Sequence, residues 1–319
     1  MTGAMRRLRD VGEHAWLAHL LARLARRRPT RDARILVGPG DDGAVVRGAA
    51  RLVLTTDTLV DQVHFRRGWL TAAALGRRAF AVNASDLAAM GAVPRWALLA
   101  LEASPRMPVA ELDALALAFA GAAERAGARL VGGNVARGPH LALTVALVGE
   151  APGRIVTRAG ARAGDAVYVT GVLGASGAAR RAGRLPEPPR RTRAGVALAR
   201  VASAMIDVSD GLVQDLTHVC RASGVGATVE IERLPVAPSC RRALGGRAAA
   251  FAATEGEDYE LLVAVPAARE RALRRLAPRL GCRLTRIGRV TRGRPGVTLV
   301  DGRGRRVRLA RGGFDHFRR

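Results

Sequence analysis

The sequence predicts a mixed α/β chain in two domains, and three observations carry that prediction. Short β-like apolar runs alternate with stretches of helical apolar period along the whole length. A turn-rich stretch from Gly149 to Gly164 interrupts the alternation, and a fresh strand pattern begins at Ala166. The chain has 319 residues, 49% of them hydrophobic, enough for two cores of ordinary size. The expected division is therefore 1–149 and 150–319.

The first thirty or so residues read as a helix ending at Arg26-Arg27-Arg28-Pro29. Ala15 to Ala25 carries His19 and Arg23 at helical spacing and has no small-residue cleavage pattern, so it reads as amphipathic and not as a signal peptide. From Arg34 to Phe65 the pattern becomes short β-like runs: 35–37, 44–46 after a glycine-rich turn, and 51–57. Residues 71–90 and 109–127 have a helical period, and 96–101, 129–132 and 141–148 read as strands. In the second half, strands are expected at 166–170, 227–231, 260–265, 283–290 and 296–300. Helices are expected after Gly177, over 192–203, up to about Ala222, and over 239–252 and 267–280. No repeat of 20–50 residues is present.

Charge narrows the function. Arg and Lys number 52 against 27 acids, a net charge of +25, and lysine is absent altogether. No chemistry that needs a lysine operates here: no phosphate-loop Lys, no kinase-type strand Lys and no Schiff base. The excess reads either as arginine replacing lysine on solvated faces or as a polyanion-binding surface. The arginines are spread along the chain and aromatics are 3%, which argues against nucleic acid as partner. No apolar run reaches the roughly 18 residues of a membrane span. Cys220, Cys240 and Cys282 are widely spaced and fit buried thiols of a reducing compartment, so a cytoplasmic protein is expected.

In so basic a chain the placement of carboxylates is informative. Asp41 and Asp42 sit in a glycine turn, Asp57 follows a strand, and Asp86 lies in or beside an alanine-rich helix. Asp207 and Asp210 flank Ser209 at a strand-to-helix junction, with Asp215 a turn further on. Glu257, Asp258 and Glu260 form a third acidic run. Singly, each reads as a turn residue, a helix cap or an Asx turn. Together they repel one another unless a cation lies between them, and oxygen donors without Cys or His suit Mg²⁺. Gly171-Val-Leu-Gly174-Ala-Ser-Gly177, between a strand and a helix, reads as a phosphate cradle or as a plain tight turn. The combination points to phosphoryl transfer outside the P-loop class.

Several motifs, in order along the chain, resemble the thiamine-monophosphate kinase family. They are Gly40-Asp41-Asp42, Thr55 to Val60, His64-Phe65, Ala81 to Ala92, Ile206 to Leu212, Gly256 to Leu261 and Gly313 to Phe317. The resemblance implies the fold shared with aminoimidazole ribonucleotide synthetase: an N-terminal mixed-sheet domain that pairs across a homodimer, and a C-terminal α/β domain. It implies transfer of the ATP γ-phosphoryl group to thiamine monophosphate by direct in-line attack, assisted by several Mg²⁺ ions. By position, Asp42, Thr55, Thr56, Asp57, Asp86, Asn134, Asp207 and Asp210 match metal-site residues, with Asp42, Asp57 and Asp210 as the catalytic centre. Gly133, Asn134, Arg158 and Ser209 match ATP contacts, and His64, Glu257 and Phe314 match substrate contacts. Two departures stand out. Asn134 occupies a family aspartate position, and Glu255 replaces a glycine. The alternatives are a sister ATP-using enzyme of the same superfamily or a weakened nucleotide- or polyanion-binding homologue. No cysteine precedes the first strand and none ends the chain, which counts against two of the sister activities.

Overall fold

The computed structural model describes residues 7–11, 13–26, 33–37, 45–48 and 51–309. The chain divides into two compact units, Met1–Ala84 with Val93–Glu150, and Ser85–Ala92 with Ala151–Arg319. A boundary at 149/150 leaves 85–92 in the first half, whereas their packing puts them in the second. Ala88 and Ala89 are buried against Leu198, Met205 and Val263 there, so the end of one helix crosses over to the other core.

The first unit is built on a four-stranded sheet: β3 (Leu52–Val60), β4 (Val93–Ala103), β5 (Arg129–Arg137) and β6 (Ala142–Glu150), in the order β3-β6-β4-β5. Only β4 and β5 run parallel. A small pair, β1 (Ile35–Val37) and β2 (Val45–Val46), stands apart from it. Strand alternation puts Val53, Leu59, Leu99, Leu101, Leu143 and Val145 on the buried face of the sheet. Helices α3 (Ala72–Ala89) and α4 (Val109–Arg125) contribute buried Leu75, Phe80, Leu112, Leu115 and Phe119, with Phe80 and Phe119 edge to face at 5.8 Å.

The expected N-terminal helix forms as α1 (Leu8–Val11) and α2 (Glu13–Arg26). It docks on α4 through buried Trp16, whose Nε1 donates to Asp113 Oδ1 at 2.8 Å, and through an Arg23–Asp113 ion pair at 2.6 Å.

The second unit holds a six-stranded sheet in the order β12-β9-β11-β7-β10-β8, antiparallel except for the β9–β12 pair. The strands are β7 (Ala166–Thr170), β8 (Ala204–Asp207), β9 (Gly226–Glu230), β10 (Leu261–Val265), β11 (Leu284–Thr291) and β12 (Gly296–Val300). β10 lies between β7 and β8 and is buried along its whole length, which is why it reads as a continuous apolar run. One face carries α5 (Ala175–Arg181), α7 (Leu212–Ser223), α8 (Pro238–Leu244) and α9 (Ala248–Thr254). The other carries α6 (Thr192–Leu198), α10 (Glu270–Leu276) and residues 88–89.

Three expectations need correction. Asp57 does not follow its strand but lies inside it, because β3 continues to Val60. The strand expected over 129–132 runs on to Arg137, since β5 keeps pairing with β4 up to Ala103–Arg137. The helix expected over 239–252 is two short helices, because Gly245 (φ 53°) and the 3₁₀ turn Gly245–Arg247 interrupt it.

Candidate active site

In the second unit the site is built where β8 ends and α7 begins. β8 delivers Asp207 into the interior, 3% exposed, and the next residues turn sharply into the helix. The Ser85 hydroxyl donates to Asp207 Oδ2 at 2.6 Å. Burial raises the Asp207 carboxyl to about 7, the neighbouring Asp86 charge adds to that, and the Ser85 bond and Arg158 oppose it. Helix α3 thus brings Asp86 to Asp207 from more than a hundred residues away.

Asp215 lies behind this pair. Its Oδ2 accepts the backbone N–H groups of Asp210 at 3.1 Å and Gly211 at 3.0 Å, satisfying donors that open helix α7. Burial, then Asp207 and Asp210, push its carboxyl up to about 8. One side-chain ligand atom each of Asp210, Asp215 and His218 lies within 4.8 Å of the others. The sequence placed Asp215 near the site without a role and did not single out His218. Their signal was the spacing i, i+3 on a helix face directly after Asp210.

The acidic run Glu255 to Glu260 is sewn to the same junction. Glu257 N–H donates to the Ser209 carbonyl at 2.7 Å, and Tyr259 N–H to the Val208 carbonyl at 2.8 Å. Glu257 and Tyr259 hold left-handed backbone, φ 68° and 50°, a conformation that costs side-chain-bearing residues about 1–3 kcal/mol. Arg180 of α5 pairs with Glu257 Oε2 at 2.8 Å and with Glu255 Oε2 at 3.4 Å, so one guanidinium holds both glutamates. Arg191 holds buried Glu260 with two bonds, Nε–Oε2 at 2.6 Å and Nη2–Oε1 at 2.7 Å, and Thr170 adds a third. Neither arginine was legible among so many.

Asp258 decides the reading of the glycine loop. Its buried carboxylate accepts the N–H of Gly174 at 2.5 Å and of Ser176 at 3.2 Å, at the start of α5. Burial lifts this carboxyl to about 7 against those bonds. The amides that open this helix are engaged by a protein carboxylate, so Gly171–Gly177 is the tight strand-to-helix turn and not a phosphate cradle.

In the first unit, alternation along β3 separates the expected donors. Thr55 and Asp57 leave on the face of Val53 and Leu59, whereas Thr56 leaves on the opposite face with Leu52 and Leu54. Asp57 Oδ1 accepts the Thr58 N–H at 2.8 Å. On β5, Asn134 pairs with Ala100 and shares the open face of the sheet with Thr56. Gly133 is required by close approach, since a Cβ there would strike the Leu99 carbonyl oxygen. His64 Nδ1 accepts the Val60 N–H at 3.0 Å, which leaves the neutral ring its proton on Nε2. Asp42 and Phe314 lie outside the described residues.

These two units correspond to two family models. "AIR synthase related protein, N-terminal domain" matches residues 40–151, and the C-terminal domain of the same description matches 162–300. The class is thus the two-domain AIR synthase related proteins. Within it, the chain is 37% identical to thiamine-monophosphate kinase of Salmonella typhimurium over 93% of this chain and 97% of that protein. It is also similar to the crystal structure of thiamine-monophosphate kinase from Stenotrophomonas maltophilia, with a TM-score of 0.79 and 36% identity over 88% of this chain and 94% of that one. The structure of AaThiL complexed with AMPPCP and TMP matches at a TM-score of 0.73 and 29% identity over 99% of this chain and all of that one. The chain belongs to the thiamine-monophosphate kinase family.

Proposed function

We propose that this protein transfers the γ-phosphoryl group of ATP to the phosphate of thiamine monophosphate, giving thiamine diphosphate and ADP. The observation that carries this reading is the buried Asp207 beside Asp86, with Asp207 and Asp210 both acting on Asp215, in a chain 37% identical to a thiamine-monophosphate kinase over nearly its whole length. The AaThiL complex holds AMPPCP, an ATP analogue, together with TMP, the two reactants this reaction joins.

The acceptor is already an ionised phosphate oxygen, so no general base is required, and the β–γ bridging oxygen leaves with ADP. What opposes reaction is the approach of two anions, which the protein meets by positioning and charge neutralisation. Asp86, Asp207 and Asp210 are hard oxygen donors whose mutual repulsion favours a cation among them, and this donor set fits Mg²⁺. Asp42, Thr55, Asp57 and Asn134 are proposed as further metal ligands, with Thr56 contributing its main-chain oxygen. Bound there, Mg²⁺ supplies positive charge to the phosphates. Arg158 and Ser209 are proposed to contact ATP beside Asp207, and Gly133 is likewise proposed as an ATP contact. His64, through Nε2–H, Glu257 and Phe314 are proposed to hold the thiamine moiety.

The protein is further proposed to be a homodimer. The open face of the four-stranded sheet exposes Leu54 at 70% and Leu98 at 43%, an apolar surface suited to a second copy.

The test is an assay with purified protein, ATP, Mg²⁺ and thiamine monophosphate, with thiamine diphosphate resolved by chromatography. Product from the monophosphate and none from free thiamine, abolished by Asp210→Ala, is the expected result. ATP binding without product would overturn the reading.

A further inference from the structure

We infer that the second unit carries a docking surface for the phosphodiester backbone of single-stranded nucleic acid, on the uncovered part of its six-stranded sheet. Charge within this unit is uneven: residues 151–200 hold ten arginines and two acids, 201–268 hold five arginines and nine acids, and 269–309 hold fourteen arginines and two acids, the densest basic stretch of the three.

The fold then sorts the arginines by face. Helices α6 and α10 cover β8, β10 and β7 on one side of the sheet, and their core does not extend to β9 and β12. On that same side β11 presents exposed Arg286 and Arg289, opposite Tyr168 and Ala166 of β7. The register continues from Arg289 to Thr228 of β9 and on to Thr298 of β12. Beyond β12 the chain returns antiparallel, with Arg306 opposite Val300 and Val307 N–H bonded to the Leu299 carbonyl at 2.9 Å. Val307 and Leu309 pack into the core on the far face, so exposed Arg306 and Arg308 stand on the near one.

Arg289 and Arg308 therefore bracket the threonine pair across three strand-to-strand steps, roughly 14 Å. Glu230 and Glu270 on this side are engaged, Glu230 with Arg233 at 2.6 Å, and Glu270 with Arg274 at 3.7 Å and Arg286 at 3.5 Å. Arg289, Arg306 and Arg308 have no ion pair among the described residues.

The want of aromatics argues against base stacking, and this surface does not require it. Guanidinium groups at strand spacing, with threonine hydroxyls between them, suit a chain of phosphates held without regard to sequence.

The test is fluorescence anisotropy of the full-length protein with a labelled uridine oligonucleotide of about twenty nucleotides, across about 50–200 mM salt. The double variant Arg289→Glu/Arg308→Glu is compared with Arg242→Glu/Arg247→Glu, which makes the same change of net charge on α8 and the turn after it. The expected result is at least about tenfold weaker binding for the first pair, a salt slope shallower by about 1.4, and less than about threefold for the second. Thiamine-monophosphate kinase activity and thermal midpoint serve as folding controls and stay unchanged in both. Equal losses in the two pairs would reduce the effect to net charge and overturn the inference. So would absence of binding by the unaltered protein, or binding to phosphatidylserine vesicles in place of the oligonucleotide.

Discussion

Asp258 Oδ2 accepts the backbone N–H of Gly174 at 2.5 Å, so the acidic run beside the site and the glycine turn after β7 are one structure. The carboxylate is 4% exposed and also accepts the Ser176 N–H. Removing it leaves buried amide donors unsatisfied. Asp258→Ala is expected to destabilise the protein by about 2–4 kcal/mol, and Asp258→Asn, which keeps one acceptor oxygen, by about half as much. Urea unfolding measures both. An Asp258→Ala midpoint equal to that of the parent protein would contradict the capping role.

Stability should fall as pH rises. The Asp207 and Asp215 carboxyls sit at about 7 and about 8 in the folded protein against 3.8 in the unfolded chain. The folded state therefore binds the extra protons, and this contribution is fully present below about pH 4 and lost as pH rises through 7 to 8. The thermal midpoint without Mg²⁺ is expected to drop between pH 5 and 8.5 (approximate limits set by these values), with a shallower drop in Asp207→Asn. Adding Mg²⁺ at the upper end should restore part of the loss, since a cation replaces the protons.

Asn134 tests how many charges the proposed metal sites need. It lies exposed on the edge strand β5, so Asn134→Asp should change stability by less than about 0.5 kcal/mol. Activity titrated against Mg²⁺ is expected to half-saturate at lower concentration in the variant. An unchanged titration would place residue 134 outside the metal shell.

Arg180 holds Glu257 and Glu255 together, and Glu257 is the proposed substrate contact on strained backbone. Arg180→Ala should raise KM for thiamine monophosphate several-fold while leaving KM for ATP and kcat near their parent values. An effect on kcat alone would point to a role in the chemistry and not in substrate placement.

The exposed Leu54 belongs to the proposed dimer face. Leu54→Arg is expected to give a monomer by sedimentation with the thermal transition of each unit still cooperative. A dimer that survives this change would move the interface elsewhere.

Much of this protein was legible in its residues. The alternation of periods defined the α/β class, the Ile206–Gly211 junction located Asp207 and Asp210, and the shared motifs identified the family, because these depend on neighbours in sequence. Three things did not. Whether the glycine loop binds phosphate depended on Asp258, eighty-four residues away, taking its amides first. The strand phase that sends Thr55 and Asp57 one way and Thr56 the other appeared only once β3 was seen to run through them. The crossing of residues 85–92 into the second unit, which puts Ser85 on Asp207, is likewise absent from local pattern. The physical reason is common to all three. Sequence determines which groups are present and their local periodicity, while burial and partnership are set by contacts between segments far apart in the chain, and these decide whether a carboxylate caps a helix or faces a neighbouring charge.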